Sequence, residues 1–134
     1  MTKKLCALLL GLSLTIAGCT QQHSPEDSIQ TFYESLSSQN YPELLSLFDL
    51  ESNLQGRQSE SELYEILAII FKDVAFNIQK KGGIHKIEYH SIEYNTDKDR
   101  AVVRYTLNFN DGSYTFDTLF LTKDHTGFWQ LTLE

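Results

Sequence analysis

The two cysteines carry the most reactive side chains in the sequence, and their surroundings differ. Cys6 lies inside an apolar run that follows two lysines, whereas Cys19 ends that run, directly after Ala17 and Gly18. A basic start, about a dozen apolar residues and small residues at the end predict a cleaved export signal, since a membrane-spanning helix needs about 20 residues. Cleavage would leave Cys19 as the sole thiol, with no intramolecular disulfide and no cysteine metal site.

The four residues Ile16-Ala17-Gly18-Cys19 resemble the lipobox of bacterial lipoproteins. The resemblance implies that residues 1–18 are a signal peptide, that the Cys19 sulfur receives a diacylglyceryl group, and that the new N-terminus is acylated with a fatty acid such as palmitate. Two or three acyl chains anchor a protein durably, whereas one chain binds only marginally. The alternative is an ordinary secretory signal with a cysteine nearby.

The residue after the cysteine bears on the location. It is Thr20, and by the sorting rule of enteric-type bacteria an aspartate at this position favours retention in the inner membrane. We therefore expect a lipid anchor in the outer membrane of a bacterial cell envelope, facing the periplasm. Residues 19–24 would form a short lipidated tether.

The other chemically capable residues form no complete set. Histidines at positions 23, 85, 90 and 125 are scattered, whereas a metal site needs three or four converging ligands. The sequence has no phosphate-binding glycine loop and no G-x-S-x-G motif. Its formal charge of −7 becomes roughly −9 when Lys3 and Lys4 are removed, which disfavours nucleic acid. We expect no metal, no cofactor and no nucleic-acid partner.

Helices come first among the elements that would position such residues. Ser24, Pro25 and Asp27 form a capping-box pattern, with aspartate in place of glutamate, which predicts a helix over residues 25–38. A short helix is predicted to start at Pro42. A long helix is predicted over residues 61–81, with Gly82 as its C-terminal cap.

From residue 84 onward the apolar residues alternate. Four segments at 84–95, 100–110, 113–123 and 127–133 are rich in β-branched and aromatic residues, and the turn signals TDKD, DG and KDHTG separate them. In the first, Ile87 and Tyr89 differ in parity from Ile92 and Tyr94, which predicts a β-bulge near His90. The predicted fold class is α+β: three N-terminal helices on a curved, four-stranded antiparallel sheet, in one domain over residues 25–134.

Several short stretches, in this order, resemble a known family: FYESL, the KKGGI junction, AVV, DGS and GFWQL. They are similar to small bacterial lipoproteins with a domain of unknown function in the nuclear-transport-factor-2-like (NTF2-like) superfamily, which has a cone-shaped, cystatin-like α+β fold. The resemblance covers residues 24–134 and departs at Phe128, where a polar residue is more usual. It implies an apolar pocket that superfamily members use for catalysis, for ligand binding or only as core.

The resemblance also implies where an acid–base pair would lie. Superfamily enzymes similar to ketosteroid isomerases and dehydratases place a tyrosine on the first helix and a carboxylate after the second, where Tyr33 and Asp49 stand. A buried carboxylate can act as a base, and a hydroxyl can stabilise an enolate. Asp117 is a candidate for a further acid. The alternative is structural, with Tyr33 in the core and Asp49 at a helix end.

Aromatic residues are candidates either for the lining of the pocket or for a plain core. The candidates are Tyr33, Phe48, Tyr105, Tyr114, Phe116 and Trp129.

The long helix carries apolar residues on two sides. At about 100° per residue, one broad stripe faces the core; it consists of Leu63, Leu67, Ile70, Phe71, Val74 and Ile78. Ile69 and Phe76 fall on the opposite side. We expect the first helix to cover this pair, which makes the mature protein a monomer by default. Otherwise the pair is an exposed ridge for a partner or a second copy.

These patterns together predict a non-enzymatic, membrane-anchored lipoprotein whose domain binds a protein partner or a small apolar ligand. The alternative is a small-molecule enzyme or carrier that uses the apolar cone pocket. An enzyme needs an accessible polar pocket with a perturbed acid, whereas an interaction module can have a filled cone.

Overall fold

The computed structural model describes residues 23–49 and 60–132, so the predicted signal peptide and Cys19 lie outside the described part of the chain. The described helices are α1 (Pro25–Ser38), α2 (Tyr41–Ser46) and α3 (Glu60–Lys80). The strands are β1 (Ile84–Tyr94), β2 (Arg100–Phe109), β3 (Tyr114–Lys123) and β4 (Trp129–Leu131). They form one antiparallel sheet in the order β1-β2-β3-β4, which confirms the α+β class.

No helix in residues 23–49 and 60–132 is both long and apolar enough to cross a membrane.

The start of α1 has the predicted capping box. The Ser24 hydroxyl accepts the backbone N–H of Asp27 at 3.2 Å, and the Asp27 carboxylate accepts the N–H of Ser24 at 3.0 Å. Pro25 suits the first turn because an N–H there would have no helical partner. The buried face of the helix follows at helical spacing; its apolar residues are Ile29, Phe32, Tyr33 and Leu36.

Three phenylalanines hold the helices together. Phe32 of α1 lies 5.9 Å from Phe48, which follows α2, and 5.8 Å from Phe71 of α3, measured between ring centroids. Phe48 and Phe71 stack at 5.4 Å. Phe48 also pairs with Leu131 of β4, whose N–H donates to the carbonyl of Leu47 at 2.7 Å. The helical layer is thereby fixed to the short edge strand.

Strand β1 contains the predicted bulge near His90 and a second bulge at His85. Its register against β2 shifts between Tyr89 and Ser91, and also between Ile84 and Lys86. Each shift adds one residue to β1 and restores the side-chain alternation. As a result one face of β1 carries Ile87, Tyr89, Ile92 and Tyr94, opposite Leu107, Tyr105, Val103 and Ala101.

Two glycines end α3. The N–H of Gly82 donates to the carbonyl of Gln79 at 3.0 Å, and that of Gly83 to the carbonyl of Ile78 at 3.0 Å, as in a Schellman motif. Gly82 has φ +82°, and a Cβ there would lie 3.3 Å from the Cβ of Asn110. The predicted cap at Gly82 is confirmed, and the helix end lies against the loop between β2 and β3.

The loop between β2 and β3 has three residues, not the two of a plain Asp-Gly turn. The N–H of Phe109 donates to the carbonyl of Ser113 at 2.9 Å and closes the loop over residues 110–112. Gly112 ends the loop with φ +89°, as the last position of a three-residue hairpin loop requires.

Strand β4 is shorter than predicted because a turn occupies the residues before it. The Asp124 carboxylate accepts the backbone N–H groups of Thr126 at 2.8 Å and of Phe128 at 3.0 Å. The strand therefore begins at Trp129.

The outer side of α3 is not covered by α1. Its buried residues are Leu63, Leu67, Phe71, Ala75 and Ile78. Ile69 and Phe76 are 70% and 57% exposed, so the expectation that α1 covers them is wrong; Ile70, assigned to the core stripe, is also 49% exposed. The reason is that α1 reaches α3 on its already buried side, where Phe32 contacts Phe71.

The approach to α1 is packed against the end of the sheet. The His23 ring stacks on Phe128 with 4.3 Å between centroids, and its Nδ1 accepts the N–H of Trp129 at 3.2 Å. Ser28, buried in α1, donates its hydroxyl to the carbonyl of Trp129 at 2.5 Å. His23, assigned to the tether from the sequence, thus contacts the domain.

Candidate functional site

Two tyrosines meet between α1 and the middle of β2. Tyr33 and Tyr105 are 6% and 1% exposed, and their hydroxyl oxygens are 2.6 Å apart, which is a hydrogen bond. Tyr33 lies on the buried face of α1, and Tyr105 lies at the centre of the alternating buried series of β2. The bond satisfies two hydroxyls that burial would otherwise leave without a partner.

The carboxylate of Asp117 lies beside this tyrosine pair. Asp117 is directly opposite Tyr105 in the register of β2 and β3, so it shares the same face of the sheet. The residue is exposed, and its Oδ1 accepts the N–H of Thr118 at 2.8 Å. Tyr33, Tyr105 and Asp117 therefore form a line from the core to the solvent.

Burial controls the acidity of these hydroxyls. It raises the pKa of Tyr33 and of Tyr105 well above the ordinary value of 10.0, and the negative charge of Asp117 adds to the rise. Burial also raises the pKa of Tyr89 to about 12, with the charges of Glu26 and Asp27 adding to it. The three hydroxyls stay protonated near neutral pH and act as hydrogen-bonding groups, not as bases.

Tyr33 interacts with residues other than Asp49, the partner that the sequence suggested. Its hydroxyl bonds to Tyr105, and the carboxylate that acts on its pKa is Asp117. Asp49 follows α2, where its backbone N–H donates to the carbonyl of Leu131 at 3.1 Å. These places agree with the structural alternative, and a catalytic role for Tyr33 and Asp49 stays a prediction.

Most of the aromatic candidates for a pocket lining belong to the core. The buried ones, all in one apolar cluster, are Tyr33, Phe48, Tyr105 and Trp129. Phe116 and Tyr114 are 72% and 59% exposed, so the assignment of Phe116 to an internal pocket is wrong. The three-residue loop pairs Phe116 with Thr106 and turns it outward, whereas a two-residue Asp-Gly turn would have turned it inward.

Two open depressions lie next to the tyrosine pair. The larger, of about 700 Å³, lies between α1 and the start of β1, and its lining includes Tyr33, Glu34, Ile84, His85 and Lys86. The smaller, of about 460 Å³, includes His90, Arg104, Tyr105, Phe116 and Asp117. Both are open to solvent, so each is a surface site and not an enclosed cavity.

The histidines stay apart. His90 Nε2 lies 2.5 Å from the Thr106 hydroxyl, His85 lines the larger depression, and His23 stacks on Phe128. Within the described ranges, no group of three or more His, Cys, Asp or Glu side chains is placed to hold a metal ion.

Sequence reasoning missed the pairing of Tyr105 with Asp117. The sequence reading placed Tyr105 in a pocket lining and treated Asp117 as a separate acid. Their pairing depends on the length of the loop between β2 and β3, which the sequence reading did not specify. The signal that was available is Asn110, which precedes Asp111 and Gly112 and extends a two-residue turn to three residues.

Comparison with known proteins supports the fold. No protein-family model matches the chain, and no curated protein matches its sequence. A crystal structure from Campylobacter jejuni, described as that of a candidate NTF2-like transpeptidase, is similar with a TM-score of 0.69 and 23% sequence identity. The match covers 84% of this chain and 100% of that chain. The expected NTF2-like fold is confirmed.

A double-mutant cycle measures the tyrosine hydrogen bond. Tyr33→Phe and Tyr105→Phe should each lower the free energy of unfolding by about 1–3 kcal/mol, because each leaves one buried hydroxyl without its partner. The double variant should lose less than the sum, since it leaves neither hydroxyl unpaired. Urea unfolding of the four proteins checks this, and strictly additive losses would contradict the bond.

Alkaline pH should destabilise the domain through the same tyrosines. Above about pH 10 the unfolded chain loses tyrosine protons that Tyr33, Tyr89 and Tyr105 retain in the fold, so the unfolded state binds fewer protons. Stability is therefore unaffected by these groups below about pH 10 and falls as the pH rises further. Thermal unfolding against pH checks this; the Tyr33→Phe, Tyr105→Phe double variant should show the shallower fall.

Proposed function

We propose that the mature protein is a lipid-anchored lipoprotein of the bacterial envelope whose domain is a non-enzymatic binding module. The observation that carries the proposal for the domain is the aromatic cluster at its buried centre. Tyr33 and Tyr105 occupy the centre and bond to each other, with Phe48 and Trp129 in the same buried cluster. Because these side chains already occupy the centre of the domain, we expect binding at its outer surfaces.

The polar groups of the interior support this proposal. In the described part of the chain, every buried side-chain nitrogen and oxygen has a hydrogen-bond partner. Catalytic and ligand-binding interiors commonly keep polar groups that only the substrate or ligand satisfies. Here Ser28, Tyr33 and Tyr105 use their hydroxyls within the domain.

The lipobox-like residues at positions 16–19 support the anchor. The contacts of His23 with Phe128 and Trp129 leave only residues 20–22 between the domain and Cys19. The four steps from Cys19 to His23 can span at most about 14 Å. The proposed anchor therefore holds the domain close to the bilayer surface, where it meets partners in or near the membrane.

Cysteine variants test the anchor with an internal control. Cys19→Ser should abolish labelling by a palmitate analogue and should release or misprocess the chain, because the thiol that accepts the diacylglyceryl group is gone. Cys6→Ser, in the proposed signal peptide, should leave both unchanged. Unchanged labelling, processing and membrane retention in Cys19→Ser would refute the lipoprotein proposal.

A small-molecule site is the second candidate. The line from Tyr33 through Tyr105 to Asp117 favours it, because it connects buried hydroxyls to an exposed carboxylate beside the smaller depression. Such a site would recognise a polar group of a carried molecule through Asp117.

Native mass spectrometry of gently purified residues 20–134 distinguishes the two candidates. A filled module should carry no small molecule. A stoichiometric ligand that is lost in Asp117→Asn but kept in Asp49→Asn would favour the second candidate instead.

A further inference from the structure

One side of α3 is an apolar surface that the described chain leaves uncovered. Ile66, Ile69, Ile70 and Phe76 are 42%, 70%, 49% and 57% exposed. At about 100° per residue they lie opposite or at the border of the stripe that faces the core. Scattered exposed apolar residues are ordinary, but four large ones on one side of one helix mark an interaction surface. This surface is named the α3 ridge.

Three of the four residues of the α3 ridge, Ile66, Ile69 and Phe76, have the spacing of a coiled-coil seam, and Ile70 lies beside them. Alternating steps of four and three residues give the series Glu62, Ile66, Ile69, Asp73, Phe76 and Lys80. Such steps keep side chains on one line along the helix, which is the line that a second helix contacts. From its first to its last residue the seam is about 27 Å long.

We infer that the α3 ridge is the contact between two copies of this chain, with their α3 helices antiparallel about a two-fold axis. One register brings Ile66 of each copy to Phe76 of the other. The same register brings Glu62 of each copy to Lys80 of the other. The two Ile66–Phe76 pairs therefore lie between two ion pairs, one at each end of the contact. A two-fold contact requires a surface complementary to itself. The Ile66–Phe76 and Glu62–Lys80 pairs of this series meet that requirement, whereas Ile69 lies opposite Asp73.

Charge determines the direction of the helices. Glu62 and Glu65 lie in the first half of α3, and Lys80 lies in its last turn. Antiparallel packing brings acid to base at both ends, and it also opposes the helix dipoles favourably. Parallel packing would set Glu62 against Glu62 and Lys80 against Lys80. The Lys80 ammonium already lies over the ridge, 5.5 Å from the centroid of the Phe76 ring.

The charges also argue against a bilayer as the occupant of the ridge. The sequence has a formal charge of −7, the acidic residues Glu62 and Asp73 lie within the seam, and Lys72 on the flank of the ridge is matched there by Glu65. Helices that lie on anionic bilayers carry lysine and arginine on the sides of their apolar face. A second copy, with its own Lys80, complements this surface better.

Asp73 limits the strength of the contact. In the inferred register it lies opposite Ile69 within the seam, and a polar residue at a seam position fixes the register at a cost in stability. We therefore expect a reversible dimer that forms as concentration rises. This inference does not depend on the lipid anchor.

Sedimentation velocity at rising concentrations tests the inference on residues 20–134, which retain every described residue. The unaltered chain should convert from monomer to dimer. Phe76→Ser should raise the dissociation constant about tenfold or more while the circular dichroism stays unchanged, because the side chain is exposed in the monomer. Phe116→Ser removes a phenylalanine that is 72% exposed on the sheet, and it should leave the dimer unchanged.

A charge exchange tests the antiparallel direction. Lys80→Glu should weaken the dimer by placing acid against acid, and the added change Glu62→Lys should restore it, because the ion pair forms again with reversed signs. Parallel helices would show no rescue. The inference is overturned by a chain that stays monomeric at every concentration, by a dimer that only Phe116→Ser disrupts, or by monomers that bind phosphatidylglycerol vesicles through the ridge.

Discussion

The three-residue loop between β2 and β3 fixes the register of the two strands, and the arrangement of both faces of the sheet depends on it. Side chains alternate along a strand, so the register places Asp117 beside Tyr105 and turns Phe116 outward. Asn110 also fastens this loop to the end of α3: its backbone N–H and side-chain amide donate to the carbonyls of Gly83 and Gly82 at 3.0 and 2.7 Å. One short loop thereby positions the tyrosine pair and the long helix together.

The interior and the surface of the domain differ in what their side chains contact. Inside, aromatic rings lie in one buried cluster between helices and sheet, and the hydroxyls of Tyr33 and Tyr105 satisfy each other. Outside, α3 presents apolar side chains that nothing in the described chain covers. A fold of this class can hold a pocket, but fold alone does not select an activity. The surface is therefore the part of this molecule that supports a binding role.

The features that local rules govern were predictable from the sequence. The capping box at Ser24, the cap at Gly82 and the bulge near His90 each follow from a few neighbouring residues. The errors concern relations between distant elements. The orientation of the Phe116 side chain depended on one additional residue in the loop between β2 and β3. The exposure of Ile69 and Phe76 depended on which side of α3 contacts α1, and the apolar pattern of neither helix specifies that side.

The packing of His23 on Phe128 and Trp129 constrains how two anchored copies can meet. With so short a proposed tether, both copies must have this end of the domain turned toward one leaflet. The two-fold axis that relates the two copies must then be parallel to the bilayer normal. In an antiparallel helix pair this two-fold axis is perpendicular to both helices. In the lipid-anchored pair proposed here, the α3 helices must therefore lie parallel to the plane of the membrane.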